Sequence, residues 1–214
     1  GLWTSSVVAN QQVDTTNNWI RWEVSRGTNN RMTYDLNALL GQDVSSTAWV
    51  FQCDLVWDTL GADNAGNQTY MGMWENNYSV GDGTASDSLF WFYNKWSGSE
   101  HSRSCIANAE APDAAVGGDL PFSSTQNFPR TEDIPYYYQI IRETSTLAHW
   151  TVSKNSDFST PQQDGSGSIP STLGDVSNPL NYIGIGNENA GSTVSPMRVN
   201  VTNFRFADGV TVAP

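Results

Sequence analysis

The sequence lacks a long apolar run and contains almost no lysine. No stretch of about 18 apolar residues occurs, so no segment has the composition of a bilayer-spanning helix. Lys95 and Lys154 are the only lysines, and 22 acidic residues outnumber 10 basic ones to give a formal net charge of −12. A surface that binds nucleic-acid phosphates needs clustered basic side chains, so this charge balance argues against nucleic acid as a partner.

Several catalytic motifs are also missing. There is no Gly-x-Ser-x-Gly turn, no His-Glu-x-x-His sequence, no pair of Cys-x-x-Cys motifs and no phosphate-binding loop. Zinc chemistry and nucleotide chemistry therefore have no support in the sequence. No signal peptide is visible, and because the chain starts at Gly1 without a methionine, we expect it to be a mature or excised segment.

Cysteine is scarce, since Cys53 and Cys105 are the only two, and each lies in a strand-like run. Two buried free thiols are one interpretation. An acidic, lysine-poor chain rich in Asn, Ser and Thr is typical of a secreted protein, in which disulfides form and persist. We therefore predict a Cys53–Cys105 disulfide and an extracellular or cell-surface location.

Apolar and aromatic residues, in contrast, are plentiful and recur with a period of two. In residues 19–26, Ile20, Trp22 and Val24 alternate with polar side chains, which predicts a half-buried strand. Residues 47–58 show the same alternation, with Cys53 on the apolar face. Further strands are predicted over residues 31–36, 69–75, 88–96, 101–107, 136–143, 147–153, 180–187 and 196–207.

A sustained helical period is absent. Only residues 36–43 predict a short helical turn, which Gly41 would end. Many strands separated by Gly, Pro, Asn, Asp and Ser clusters predict an all-β antiparallel two-sheet sandwich of jelly-roll type. No linker divides residues 1–214, so we predict a single domain, and residues 108–133 are expected to form a long surface excursion.

Three stretches carry a resemblance to a known family: residues 19–58, 136–159 and 180–209. In pattern and order they resemble the concanavalin A-like lectin and glucanase superfamily, specifically the laminin-G-like jelly rolls of microbial surface proteins. The resemblance implies one concave and one convex antiparallel sheet. Members of the family often bind carbohydrate, frequently with calcium, while others are glycoside hydrolases, polysaccharide lyases or adhesive modules, and the fold alone does not choose among these.

Residues 89–96 (LFWFYNKW) are aromatic on both faces, and a sheet can bury only one face in the core. An exposed ring stacks on the apolar face of a sugar while nearby polar side chains hydrogen-bond the hydroxyls. The alternative is that the rings only fill a wide core. The predicted ligand-binding residues of a groove are Trp91, Tyr93, Tyr70, Trp74, Tyr137, His149 and Arg103.

Enzyme activity has weaker support. The Glu-x-Asp-x-x-Glu strand motif of the superfamily's hydrolases is absent, and only Glu75 and Glu143, at strand ends, suggest a carboxylate pair. A lyase needs a Tyr or His base and an Arg or Gln that neutralises a uronate carboxylate. The residue types are present in Tyr137, Gln139, His149, His101 and Arg103, but the signature strands of the superfamily's lyases are not.

Calcium is the one cofactor that the loops suggest, because it takes about six to eight oxygen ligands from carboxylates, amides and carbonyls. The preferred structural site is the loop that contains Asn76, Asp82 and Asp87, although Asp- and Asn-rich loops are also ordinary turns.

These patterns together predict a non-catalytic, lectin-like extracellular domain that recognises a neutral glycan through aromatic groove residues. An amide-rich surface suits neutral hydroxylated ligands, and a net negative charge repels uronate polymers. One alternative is a structural or adhesive subunit that self-associates in a filament, envelope or viral assembly. The other is a polysaccharide hydrolase or lyase.

Overall fold

The computed structural model describes residues 3–5, 11–14, 16, 19–24, 30–59, 67–74, 89–96, 131–168, 179–189 and 197–211. Within these ranges the chain forms twelve strands and one short helix. In chain order they are β1 (Trp3–Ser5), β2 (Gln11–Asp14), β3 (Trp19–Val24), β4 (Asn30–Asp35), α1 (Leu36–Leu40), β5 (Trp49–Thr59), β6 (Asn67–Trp74), β7 (Leu89–Trp96), β8 (Pro135–Thr144), β9 (Leu147–Ser153), β10 (Pro161–Ser168), β11 (Tyr182–Asn189) and β12 (Met197–Asp208).

The strands form two antiparallel sheets that enclose one core. The five-stranded sheet has the order β1-β4-β11-β6-β7, and the seven-stranded sheet has the order β10-β9-β8-β5-β12-β3-β2. Strands that are distant in sequence, such as β5 and β12, are neighbours, as the long-range connections of a jelly roll require. The all-β, two-sheet antiparallel fold predicted from the alternation is confirmed.

The core is built from the inward faces of both sheets. In β5, each of the alternate residues Trp49, Phe51, Cys53, Leu55 and Trp57 is at most 2% exposed, as their period of two predicts. The facing sheet contributes Met71, Met73, Ile183 and Ile185, which are equally well buried. Burial of these large side chains provides the main stabilisation of the sandwich.

The short helix α1 forms where the sequence predicts it. Asp35 caps its first turn, since one carboxylate oxygen accepts a hydrogen bond of 2.9 Å from the backbone N–H of Ala38. Gly41 ends the helix with φ at 71°, in the left-handed region that glycine tolerates best.

Cys53 is a free thiol in the structure, which does not show the predicted disulfide, so that pairing stays a prediction. Its side chain points into the core, where Sγ lies 3.1 Å from Sδ of Met71 on the opposite sheet. Burial raises the pKa of the thiol well above its ordinary value, and the nearby charge of Asp54 acts in the same direction. Cys105, the predicted partner, lies outside the described residues.

Three strands, β1, β2 and β10, were not predicted from the sequence, and all three lie at sheet edges. The predicted strand at 101–107 and residues 108–130 of the predicted excursion lie outside the described residues. In the described part of the chain, no helix is long and apolar enough to span a membrane.

Candidate functional site on the outer face of the seven-stranded sheet

The outer face of the seven-stranded sheet carries a concentration of polar side chains. In β8, Tyr136, Tyr138 and Ile140 point inward and are fully buried, while Tyr137 and Gln139 point outward and are half-buried. The same alternation in β9 turns Ala148, Trp150 and Val152 inward, and it turns His149 and Thr151 outward. The outward residues of neighbouring strands therefore lie side by side on one surface.

Strand register aligns four of these side chains in a row across the sheet, which we call the polar row: Arg205, Gln52, Gln139 and Thr151. Gln52 of β5 is the partner of Arg205 in β12 and of Gln139 in β8, and Gln139 is in turn the partner of Thr151 in β9. Because adjacent strands are about 4.8 Å apart, the row spans about 14 Å.

A hydrogen bond joins the centre of the polar row. Nε2 of Gln52 donates to Oε1 of Gln139 over 2.7 Å. Gln52 is only 5% exposed, since β5 lies between β8 and β12 near the middle of the sheet. Its remaining polar atom, Oε1, is buried and has no hydrogen-bond partner among the described residues. Burial of an acceptor without a partner is costly, so this atom is a place where a ligand could supply a hydrogen bond.

A β-bulge in β12 places Asn203 beside Asp54. Thr202 is the partner of Asp54, but the next partner along is Arg205 with Gln52, so β12 contains one extra residue at this point. Asn203 occupies the bulge with φ at 50°, a left-handed conformation that Asn tolerates better than most residues. Its Nδ2 donates a hydrogen bond of 2.6 Å to Oδ2 of Asp54.

Asp54 is 9% exposed on the same outward face as Gln52. Desolvation by burial raises the pKa of its carboxyl above the ordinary value of 3.8. The hydrogen bond from Asn203 and the charge of Arg205 oppose the rise without cancelling it. A buried carboxyl with a raised pKa can hold a proton or accept hydrogen bonds, and both properties are common at binding and catalytic sites.

Two pairs of polar side chains lie elsewhere on this face. His149 Nε2 lies 3.0 Å from Oε1 of Glu143, with both side chains partly exposed. Nearer the β2 edge, Arg21 pairs with Asp58 and lies 5.8 Å from the ring centre of Trp19. The opposite charges of Arg21 and Asp58 balance, so this pair adds no net charge to the face.

The ligand-binding residues predicted from the sequence divide between the two sheets. Tyr137 and His149 lie on the outer face of the seven-stranded sheet. Tyr70 and Trp74 lie in β6, and Trp91 and Tyr93 lie in β7, both in the five-stranded sheet. Register pairs Tyr93 with Tyr70 and Trp91 with Gly72. Ligand binding by either part of the set stays a prediction.

Arg103 and the predicted calcium ligands Asn76, Asp82 and Asp87 lie outside the described residues, so the calcium site stays a prediction. Where side chains are described, no group of three or more His, Cys, Asp or Glu residues is arranged to hold a metal ion.

Sequence reasoning missed Gln52, Asp54, Asn203 and Arg205 as site residues. A signal for the bulge was present in the closing strand. Val199 and Val201 are apolar at odd positions, whereas Phe204 and Phe206 are apolar at even positions, and all four face the core. Such a change of phase within one strand indicates an inserted residue.

No protein-family model and no curated protein sequence matches the chain. Solved structures do match it. A marine PL-14 alginate lyase from Aplysia kurodai aligns with a TM-score of 0.58 and 11% identity, over 93% of this chain and 87% of the lyase chain. A seed lectin from Lotus tetragonolobus aligns with a TM-score of 0.55 and 10% identity, over 100% of this chain and 95% of the lectin.

The exoplasmic/lumenal domain of VIP36, in its Ca2+- and Man3GlcNAc-bound form, aligns with a TM-score of 0.55 and 8% identity, over 94% of this chain and 83% of that domain. Identities this low establish the fold and leave the function open. The two antiparallel sheets, their enclosed core and these structural neighbours agree with the resemblance seen in the sequence: the chain has the concanavalin A-like jelly-roll fold.

Proposed function

We propose that this chain binds carbohydrate on the outer face of its seven-stranded sheet, as a non-catalytic, extracellular, lectin-like domain. The observation that carries the proposal is the polar row, in which an amide pair joins β5 to β8 and leaves one buried acceptor without a partner among the described residues. A ligand rich in hydroxyl groups supplies the hydrogen bonds that such a surface lacks. The fold adds support, because its structural neighbours include a seed lectin and a Man3GlcNAc-bound domain.

A neutral glycan fits this face better than an acidic one. The Arg21–Asp58 pair balances its own charges, and Arg205 lies close enough to Asp54 to lower its pKa. The net charge of −12 repels polyanions in addition.

Tyr137 offers the ring that sugar recognition requires. It is half-buried, and its backbone partner in β5 is Asp54. A sugar that stacks on the ring would therefore also reach a carboxyl group and the neighbouring amide pair. Calcium bound by Asn76, Asp82 and Asp87 would have a structural role in this proposal.

Glycan-array screening followed by titration calorimetry tests the function. If the proposal is right, neutral oligosaccharides bind, and Tyr137→Ala weakens binding by on the order of tenfold because a stacked ring is lost. Tyr182→Ala is the matched control, since Tyr182 is also half-buried but belongs to the five-stranded sheet. A loss confined to Tyr182→Ala, Trp91→Ala or Tyr93→Ala would move the site to the opposite face, and a blank array would refute the function.

A polysaccharide lyase is the second candidate, because Tyr137, Gln139, His149 and Arg205 share one face. They supply a base, an amide and a cation, the groups that uronate elimination needs. Alginate lyases are also among the structural neighbours. Incubation with polyuronate, followed by the ultraviolet absorbance of the unsaturated product, distinguishes this activity from binding alone.

Self-association in a surface assembly is the remaining possibility. Light scattering over a range of protein concentrations tests it, and ordered oligomers without glycan binding would favour a structural subunit.

A further inference from the structure

We propose that the amide pair of Gln52 and Gln139 determines ligand specificity by requiring a sugar hydroxyl at this point and rejecting a carboxylate. The inference rests on the proposed carbohydrate-binding function and identifies the contact that would select a neutral sugar. It begins from the single hydrogen bond of 2.7 Å between the two side chains and from the unpaired Oε1 of Gln52.

A sugar hydroxyl can satisfy Gln52 in either orientation of the two amide groups. One hydrogen bond uses one polar end of Gln52 and one polar end of Gln139, so the other end of buried Gln52 is left without a partner in the described part of the chain. If the orientation is reversed, the unpaired end is an NH2 group in place of a carbonyl oxygen. A hydroxyl satisfies either end, because it both donates and accepts hydrogen bonds.

A carboxylate cannot replace the hydroxyl in the orientation observed. It only accepts hydrogen bonds, so it would place a negatively charged oxygen against the carbonyl oxygen of Gln52. Asp54, two residues along β5 on the same outward face, is a second acceptor and repels a carboxylate when it is ionised. Among the residues that the structure describes, Arg205 is the cation whose charge acts on Asp54.

The unpaired oxygen lies just below the surface, so a ligand must displace a neighbouring side chain to reach it. Arg205 is the candidate, since it is the strand partner of Gln52 and is exposed. Within the described part of the chain its guanidinium is not seen in a hydrogen bond. Its displacement therefore breaks no contact of that kind.

The test compares Gln52→Met with the wild type by calorimetry against neutral hexasaccharides of gluco, manno and galacto configuration and against an oligouronate of equal length. Methionine fills a similar volume but has no strong hydrogen-bonding end. We expect binding of the neutral sugar to weaken by at least about tenfold, the equivalent of one lost hydrogen bond. We also expect an unchanged or higher melting temperature, because a buried unpaired acceptor has been removed.

Gln139→Met is the matched control. It leaves both polar ends of buried Gln52 without a partner, so it should weaken binding and also lower the melting temperature. A merely structural amide pair would instead lower the melting temperature in both variants, and that result would overturn the inference.

Three further outcomes are decisive. Equal affinity of wild type and Gln52→Met for the neutral sugar would overturn the inference while the carbohydrate-binding function stands. Tighter binding of the oligouronate than of every neutral sugar would do the same. If no probe binds the wild type, the proposed function fails and the inference fails with it.

Discussion

At the scale of single residues, the outer face of the seven-stranded sheet departs from what stability alone would favour. Gln52 buries an acceptor that has no partner within the described ranges, and Asp54 buries a carboxyl whose pKa is raised by desolvation. Apolar side chains at both positions would avoid these costs. Residues that oppose stability in this way are often kept for binding or catalysis, which is why the candidate site is placed here.

Asp54 should make the stability of the protein depend on pH in a particular direction. Its pKa is higher in the folded chain than in the unfolded chain, so the folded state keeps the proton to higher pH. The free energy of unfolding should therefore fall as pH rises from the ordinary carboxyl range through the raised pKa. Asp54→Asn should lack this decrease, so its stability relative to the wild type should improve between about pH 3 and about pH 7.

Urea denaturation at several pH values measures the difference, and Asp157→Asn is an opposite control. Hydrogen bonds from Ser159 lower the pKa of Asp157, which is fully exposed. Its ionised form therefore adds stability that is lost as pH falls, so the wild-type advantage over Asp157→Asn should shrink at low pH. Parallel pH profiles for the Asp54→Asn variant and the wild type would contradict the role given to Asp54.

Arg142 is a second unusual residue, since it is 1% exposed and lies on the inward side of β8. Burial lowers the pKa of its guanidinium to about 10, and the side chain donates hydrogen bonds of 3.3 Å to the backbone oxygens of Thr144 and Ser145. We expect Arg142→Ala to cost about 2–5 kcal/mol by leaving a cavity. Arg142→Met keeps most of the volume and should cost less than about 1.5 kcal/mol. Chemical denaturation measures the free energy of unfolding of both variants. Equal decreases would show that the charge of Arg142 matters more than its packing.

At the scale of elements, the bulge of β12 allows one strand to serve both the core and the site. It shifts the alternation by one residue, so Phe204 and Phe206 reach the core while Arg205 stays outside. If the strand alternated regularly through Asn203, Phe204 and Phe206 would face outward and Arg205 would face the core.

Substitution of Asn203 tests the bulge. With φ at 50°, Asn203→Val should lower stability by about 1–2 kcal/mol more than Asn203→Gly, because a β-branched side chain fits the left-handed region poorly. Both variants lose the hydrogen bond to Asp54, so their difference isolates the backbone. Equal urea midpoints for Asn203→Val and Asn203→Gly would mean that the backbone of the bulge adjusts to valine with little loss of stability.

The sequence predicts strands that have an apolar face well, and it misses short or polar edge strands. β5 has one face in the core, and its alternation of Trp49, Phe51 and Cys53 revealed it at once. The edge strand β10 (PQQDGSGS) has no apolar face to reveal it. The candidate site escaped prediction for another reason, since Gln52, Gln139 and Arg205 become neighbours only through the register of three strands that are far apart in sequence.

At the scale of the whole molecule, the net charge of −12 on 214 residues opposes compactness. Raising the ionic strength from about 0.01 M to about 0.15 M shortens the screening length from about 30 Å to about 8 Å. Long-range repulsion should weaken, so the melting temperature should rise with added sodium chloride. If calorimetric scans instead show a lower melting temperature, the attraction within local pairs such as Arg21–Asp58 outweighs the overall repulsion.

Because Cys53 contacts Met71 in the core, the reactivity of its thiol can be used to measure transient separation of the two sheets. The two sulfur atoms come from opposite sheets, and an alkylating reagent meets a buried, protonated thiol as long as the sheets stay together. In a Cys105→Ser background, the rate at which Cys53 is alkylated would therefore measure the frequency of local opening of the sandwich. A sugar bound on the outer face would stabilise the folded state and lower the alkylation rate of Cys53. Binding on the outer face could therefore be detected from a residue on the inner face of the same sheet.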